Sequence, residues 1–538
     1  MNRKPPIPPS PSPTSEGRRN RPSPGAEFRA VMVQKQTLLG VQGAKPARSA
    51  QDDTLSAQVH HRKVALWKGQ YPGGGRPQQP PHLLSDIAIP TMIGIDDSSP
   101  RHPLPRLLHH NPHAMKVLHL SSSDLGGGAA RGAYWLHQAL QSRADTDSAM
   151  LVQSKVSDDP EVTEYRPALA SRLARKTEQL VRDRLRPSRY FSPAALRLPI
   201  HHQINALQPD VVNLHWVGDG FLSPESLTGI RAPLVWTLRD QWPMTGGCHY
   251  AQDCGRFEAE CGNCPALNSR HPDDYSRRLH RRKSRAWDGH PMTLVALSHW
   301  LADQARRSSL LGGRRTVVIP NALDTTVFQP SDQGTAHLRA RLGLPADRRL
   351  ILFGAMDPLN DRRKGFGELR RSAELLAQRP DATSLELVVF GPLHGQTPPT
   401  MPLRTHFLGP VDDDRALASL YAGADLTVMP SLEEAFGKVA MESMACGTPV
   451  VCFDGSGPAD IVDHRVNGYL ARLGDAADLA AGIAFLLDHP QPRALMGAAL
   501  DKVAAHYTYE RQAQMYSDLY ARVLEEAKWL ELRPRASS

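Results

Sequence analysis

Two successive series of short apolar runs, each interleaved with helical patterns, constrain this chain more than any other feature of its sequence. The first series opens at Met115-Lys116-Val117-Leu118-His119-Leu120 and continues at 211–215, 234–238, 293–297 and 316–319. A turn follows at Pro320-Asn321. The pattern then restarts at 350–354 and continues at 385–390, 426–429 and 449–453. Apolar runs this short, separated by amphipathic stretches, read as buried parallel strands joined by helices. A series that restarts predicts two facing Rossmann-like α/β domains, residues 115–335 and 336–507, with the ligand cleft between them. The end of the chain, 508–538, begins with a polar amphipathic helical stretch, which is expected to pack back across the first domain.

Upstream of Met115 the character is different. Residues 1–114 hold 18 of the 46 prolines and lack sustained periodicity. Such a segment cannot bury enough apolar surface to offset its ordering entropy, so disorder is expected. Because the first strand itself opens with methionine, Met115 is the expected true start and 1–114 an over-extended gene start. A basic tail touching acidic membrane or nucleic acid is the alternative. The segment carries 15 Lys/Arg against 7 Asp/Glu, a net of +8; the other 49 and 48 leave only +1 of the formal +9 for the rest. A near-neutral body argues against nucleic acid as a partner. No apolar run approaches the ~18–20 residues of a membrane-spanning helix. After Met1-Asn2-Arg3-Lys4 come prolines, not the apolar core of a secretory signal. A cytoplasmic protein is expected.

The richest motif lies at 430–449. Pro430-Ser431 is followed by Glu434, then Phe436-Gly437-Lys438, with Glu442 eight residues beyond Glu434 and Ala445-Cys446-Gly447-Thr448-Pro449 closing the stretch. This is a strand end, a glycine turn and a helix start. Free backbone N–H groups and the positive dipole end near Gly437 suit a diphosphate. Glu434 precedes the helix and can reach a sugar; Glu442 lies about two turns in, where a carboxylate can accept from ribose hydroxyls. A solvated acidic face is the bland alternative, and the Pro-Ser, Phe-Gly and Gly-Thr-Pro frame argues against it. Arg362-Arg363-Lys364-Gly365 supplies cations beside a glycine, suited to a leaving diphosphate; a basic surface loop is the alternative. Asp124-Leu125-Gly126-Gly127-Gly128-Ala129-Ala130-Arg131 places a glycine turn after the first strand, where backbone can approach a phosphate or sugar. Asp412-Asp413-Asp414 reads as a solvated turn, not as an Asp-x-Asp metal motif. His215-Trp216 and Arg239-Asp240 end strands at the expected cleft, although His215 can equally be structural. An arginine at 239 would favour an anionic group.

Cys248, Cys254, Cys261 and Cys264 are separated by five, six and two residues within an insert at 245–265. A Cys-x-x-Cys knuckle with two further thiols can supply a tetrahedral structural zinc site. Paired disulfides or free cysteines beside an acceptor loop are the alternatives.

The 430–449 stretch resembles the signature of family 4 retaining glycosyltransferases of the GT-B fold, and the resemblance spans 115–525. It implies a nucleotide-sugar donor, with Glu434 near the sugar hydroxyls, Glu442 on the ribose, Lys364 on the phosphates, and Gly127 and Gly128 facing the diphosphate. Arg363, Phe436, Gly437 and Lys438 complete the expected donor set, and Glu434, Lys364, His215 and Arg239 the expected catalytic set. The sequence departs from the family at Ala355-Met356, where many members carry an arginine, and at Arg239, where many carry histidine. The stretch 237–265 is similar to a subgroup from exopolysaccharide and colanic-acid-type clusters. That similarity implies a glycan or lipid-linked glycan acceptor and peripheral contact with the inner membrane surface. The resemblance further implies a front-face retaining mechanism that needs no metal cofactor. Rivals are a nucleotide-sugar epimerase or a phosphorylase of the same fold, or a non-catalytic sugar-nucleotide-binding protein; the last is disfavoured by the presence of Glu434, Glu442 and Lys364. No lysine in a matching context for pyridoxal phosphate supports a phosphorylase.

Overall fold

The computed structural model describes residues 114–532, except Gly334 and Asp412, and these lie in one compact unit, Arg101–Ser538. The expectations of disorder and of an over-extended start fall on the upstream segment, outside the described residues.

The described residues form two parallel sheets. The first holds β1 (Met115–Ser123), β2 (Thr146–Ser154), β3 (Val162–Glu164), β4 (Val211–Leu214), β5 (Leu234–Leu238), β6 (Met292–Ala296) and β7 (Thr316–Val318), in the order β3-β2-β1-β4-β5-β6-β7. The second holds β8 (Arg349–Gly354), β9 (Leu385–Phe390), β10 (Arg404–Gly409), β11 (Leu426–Met429), β12 (Val450–Phe453) and β13 (Gly468–Ala471), in the order β10-β9-β8-β11-β12-β13. Both are doubly wound α/β sheets of the GT-B type. In each, the strand order reverses beside the first strand, between β1 and β4 and between β8 and β11. The crevice outside the carboxyl ends of those strands is where such sheets bind ligands. The motif-bearing loops follow β1, β4, β8 and β11, so topology alone gathers them on the crevice side.

The core strands are continuous apolar runs because both faces are covered by helices. Val211, Val212, Leu350, Ile351, Leu352, Val388, Val428 and Val450 are all buried. Strands β2, β3, β10 and β13 do not stand among the apolar runs of the sequence. β2 begins Thr-Asp-Ser, β10 is an edge strand with partly exposed side chains, and β3 and β13 are very short.

The helix Tyr509–Leu532 lies against the first domain, beside the helix Gly128–Gln141. Ala513, Tyr516, Leu519, Tyr520 and Val523 share a buried cluster with Val117, Leu136, Val235 and Val295. Two phenols enter the sheet face as polar pins: Asn213 Nδ2 donates to Tyr520 Oη at 2.6 Å, and Thr237 Oγ1 lies 3.0 Å from Tyr516 Oη.

Candidate functional site

The loop after β8 is welded to the loop after β11. Asp361 accepts from the Arg363 N–H, turning residues 362–364 into one short helical turn. Leu432 N–H donates to the Arg363 carbonyl at 2.7 Å. Gly365 adopts φ 72°, and a side chain there would place Cβ 1.8 Å from the Pro430 oxygen, so only glycine lets the two loops touch. This contact sets Lys364 Nζ 2.5 Å from a Glu434 carboxylate oxygen. Burial alone would raise the Glu434 carboxyl, but Lys364 and Arg363 outweigh it and hold it below the ordinary glutamate value.

Arg363 is committed differently from Lys364. Its guanidinium bonds Asp361 at 2.5 Å and the Glu433 carbonyl at 3.3 Å, and stacks 3.8 Å over the Tyr250 ring. Its charge is therefore held in a fixed framework, while Arg362 is exposed to solvent.

Gly437 precedes the helix Lys438–Ala445. Glu442, one face-turn inside that helix, accepts from Tyr421 Oη at 3.0 Å and lies 3.3 Å from Lys438 Nζ. Phe436 is buried, its ring meeting Tyr507 edge-on, so its contribution to a ligand is backbone rather than ring. Lys438 crosses to the first domain: its ammonium sits 3.8 Å over the Trp135 ring, and its Cδ is 4.0 Å from where a Cβ on Gly128 would stand. Gly127 and Gly128 thus face the same helix start as Gly437, and the amino ends of two helices point toward one region. That arrangement, with Lys364 beside it, favours a bound anion such as a diphosphate.

Asp124 was not among the expected site residues, yet it shapes this region. Its carboxylate accepts the backbone N–H groups of Leu125, Val156 and Ser157, fixing the glycine loop against the end of β2. The solvated-turn reading of the Asp412-Asp413-Asp414 stretch needs correction for the two described residues. Asp413 caps the helix Asp414–Gly423 by accepting from Ala416 N–H, and Asp414 pairs with Arg131 of the first domain. The turn thus carries a partly exposed ion pair between the two domains.

His215 and Arg239 are buried, which is the structural alternative for His215. They are 2% and 6% exposed. His215 Nε2 lies 2.9 Å from His119 Nδ1, its Nδ1 lies 3.1 Å from the Arg239 guanidinium, and Arg239 donates to Asn321 Oδ1 at 2.6 Å. Both imidazole nitrogens of His215 are occupied. Burial, then Arg239 and His119, push its pKa well below the ordinary value, so the ring is neutral. Arg239 lies under Gly132, where a Cβ would meet the guanidinium at 2.6 Å. The pair is a buried polar strut beneath the glycine-loop helix. The open end of this strut is a small cavity shared with Trp216, Asp240 and His249.

The insert also reaches the second domain. Tyr250 lies between Arg363 and Glu434, and Gln252 N–H donates to Glu433 Oε2 at 2.9 Å. Glu433 escaped sequence reasoning because it neighbours the stronger candidate Glu434; two adjacent glutamates give no signal of which one is buried by a distant loop. All four insert cysteines line one cavity. Among the described residues, no three His, Cys, Asp or Glu groups are already drawn together as a metal-holding set.

A sequence profile of the family described as "Glycosyl transferases group 1" matches residues 347–489, the span that carries Lys364, Glu434 and Glu442. Those residues are similar to that family. Curated relatives extend the likeness. The D-inositol 3-phosphate glycosyltransferase of Thermobispora bispora is 36% identical over 224 residues, covering 39% of this chain and 51% of the relative. That of Rhodococcus jostii is 28% identical over 437 residues, 76% of this chain and 90% of the relative. At the higher identities the chain spans about half the length of its curated relatives. Among solved structures, sucrose-phosphate synthase from Thermosynechococcus elongatus superimposes with a TM-score of 0.54 at 20% identity, covering 77% of this chain and all of the other. Anabaena HepE in complex with UDP-glucose gives 0.51 at 19%, covering 76% and all of it. These two likenesses fix the fold as GT-B, and the span 347–489 lies in its second half. No helix among the described residues is long and apolar enough to cross a membrane.

Proposed function

We propose that the chain transfers a sugar, with retention of anomeric configuration and without a catalytic metal, from a nucleoside diphosphate sugar to an acceptor hydroxyl. One observation carries the reading: Lys364 and Glu434 are paired at 2.5 Å beside the helix start at Gly437, with Glu442 one turn in and the Gly127-Gly128 loop opposite. The diphosphate lies between the two helix starts, the ribose hydroxyls reach Glu442, and the sugar hydroxyls reach Glu434. As the glycosidic bond to the diphosphate breaks, negative charge builds on the leaving oxygens. Lys364 and the amides near Gly437 stabilise it, and preorganised charge of this kind is usually the largest catalytic term. The acceptor oxygen bonds the anomeric carbon on the face the diphosphate leaves, and the departing diphosphate takes the acceptor proton. Glu434 binds the sugar hydroxyls rather than attacking, its carboxylate engaged by Lys364.

The acceptor we propose is a growing cell-surface glycan or its lipid-linked form, met in the cytoplasm at the inner membrane surface, on the strength of the 237–265 likeness. The relatives named D-inositol 3-phosphate glycosyltransferases make inositol 3-phosphate the specific competitor. The deciding experiment incubates the protein with UDP-, GDP- and ADP-sugars, each with a lipid-linked glycan fraction or inositol 3-phosphate. Proton NMR of the product then assigns the anomer. An inverted product, or donor epimerised without acceptor, would overturn the reading.

A further inference from the structure

Four cysteines, a buried lysine and two glycine-built loops meet at a point the transfer reaction does not use. Cys248, Cys254, Cys261 and Cys264 line one cavity together with Gly246, Gly262 and Ser276. The Cys248 and Cys264 sulfurs are within hydrogen-bonding distance of one another, and Cys261 interacts with Cys248, Cys264 and Cys254. Cys261 and Cys264 flank a tight turn in which Gly262 takes φ 139°; a Cβ there would meet the Pro272 oxygen at 2.3 Å. Backbone donors are aimed at the sulfurs. Gly246 N–H donates to Cys261 Sγ at 3.2 Å, and the amides of Ala266 and Leu267 serve Cys264.

A buried lysine borders the cluster. Lys283 is completely buried, and its Nζ donates to the carbonyls of Trp242 and Thr245 rather than to a carboxylate. It also lies 3.6 Å over the Trp242 ring, and its electrostatic partners include Cys261, Asp240 and Cys248, in that order. Four thiolates would leave a divalent zinc with a net charge of −2, and Lys283 and the N–H donors stand beside the cavity to offset it.

We propose that Cys248, Cys254, Cys261 and Cys264 bind one structural zinc ion, which locks the insert that carries Tyr250 and Gln252 onto the second domain. The thiols are not yet gathered to ligand distance among the described residues. Binding closes them by side-chain rotation around a wall the loops have already built. The ion releases up to four thiol protons on binding and takes no part in glycosyl transfer.

The test uses the full chain, purified reduced and without chelator. Elemental analysis gives about one zinc per chain, and a mercurial thiol reagent releases that zinc in step with loss of the cluster thiols. Cobalt(II) in place of zinc gives the intense visible absorption of a tetrahedral thiolate site. Cys261→Ser/Cys264→Ser loses the metal, whereas Cys446→Ser, a buried cysteine outside the cluster, keeps it. Reduced parent protein without stoichiometric zinc overturns the proposal. So does zinc retained by a folded Cys261→Ser/Cys264→Ser protein, or a disulfide between any two of the four in protein purified without reductant.

Discussion

The Lys364 ammonium lies 2.5 Å from the Glu434 carboxylate, joining loops that follow two neighbouring strands of the second sheet. In the proposed reaction the cation that serves the leaving diphosphate is thus stored against a carboxylate until the donor arrives. Lys364→Ala removes the positive charge and also strands a half-buried carboxylate. It should lower turnover by about 2–4 kcal/mol in the barrier and lower the melting temperature as well. Adding Glu434→Gln should recover part of the lost stability and none of the turnover. The coupling is read from a double-mutant cycle on both quantities. Additive stability effects would mean the pair is not formed in solution.

The Glu442 carboxylate, to which we assign the ribose, is oriented by Tyr421 Oη at 3.0 Å and Lys438 at 3.3 Å. Glu442→Gln keeps the shape and removes the charge on the acceptor. Calorimetry with the nucleoside diphosphate alone should show binding weakened by about 1–2 kcal/mol. Unchanged nucleotide affinity would move the ribose elsewhere.

How far the sequence carried can be judged from particular elements. The two domains and the loops at 124–131, 362–365 and 430–449 were legible because buried parallel strands are continuous apolar runs and helix starts need glycine or cap residues. Edge strands such as β10 were not, since one exposed side dilutes the apolar signal. The inter-domain contacts were also invisible: Arg131 and Asp414 are 283 residues apart, and nothing local to either marks the pairing. His215 and Arg239 show the opposite failure. Their position at strand ends was legible, but the His119 neighbour that turns them into a buried strut is contributed by β1, across the sheet.

The helix Tyr509–Leu532 should be part of the folding unit rather than an appendage. Tyr520→Phe removes the oxygen that accepts from Asn213 and leaves that buried amide short of a partner. Urea unfolding should show a loss of about 1–3 kcal/mol, with nucleotide affinity intact. A neutral effect would mean that Asn213 finds water or another acceptor once the phenol oxygen is gone.

The contact between the insert and the second domain should carry a pH signature. Burial raises the Glu433 carboxyl to about 7, against partial opposition from the Gln252 N–H and Arg363. An exposed glutamate in the unfolded chain titrates near about 4.3. The folded state therefore prefers the protonated form. That contribution is complete below about pH 4.3, is lost as pH rises through about 7, and changes little above it. Glu433→Gln fixes the neutral form. It should match the parent at pH 4 and exceed it at pH 8 by a margin on the order of 2–3 kcal/mol, with most of the change falling between pH 5 and 7. Chemical denaturation of both proteins across that range measures the difference directly. A margin that does not grow with pH would show that Glu433 is ionised in the folded protein, and that the insert does not hold it out of water.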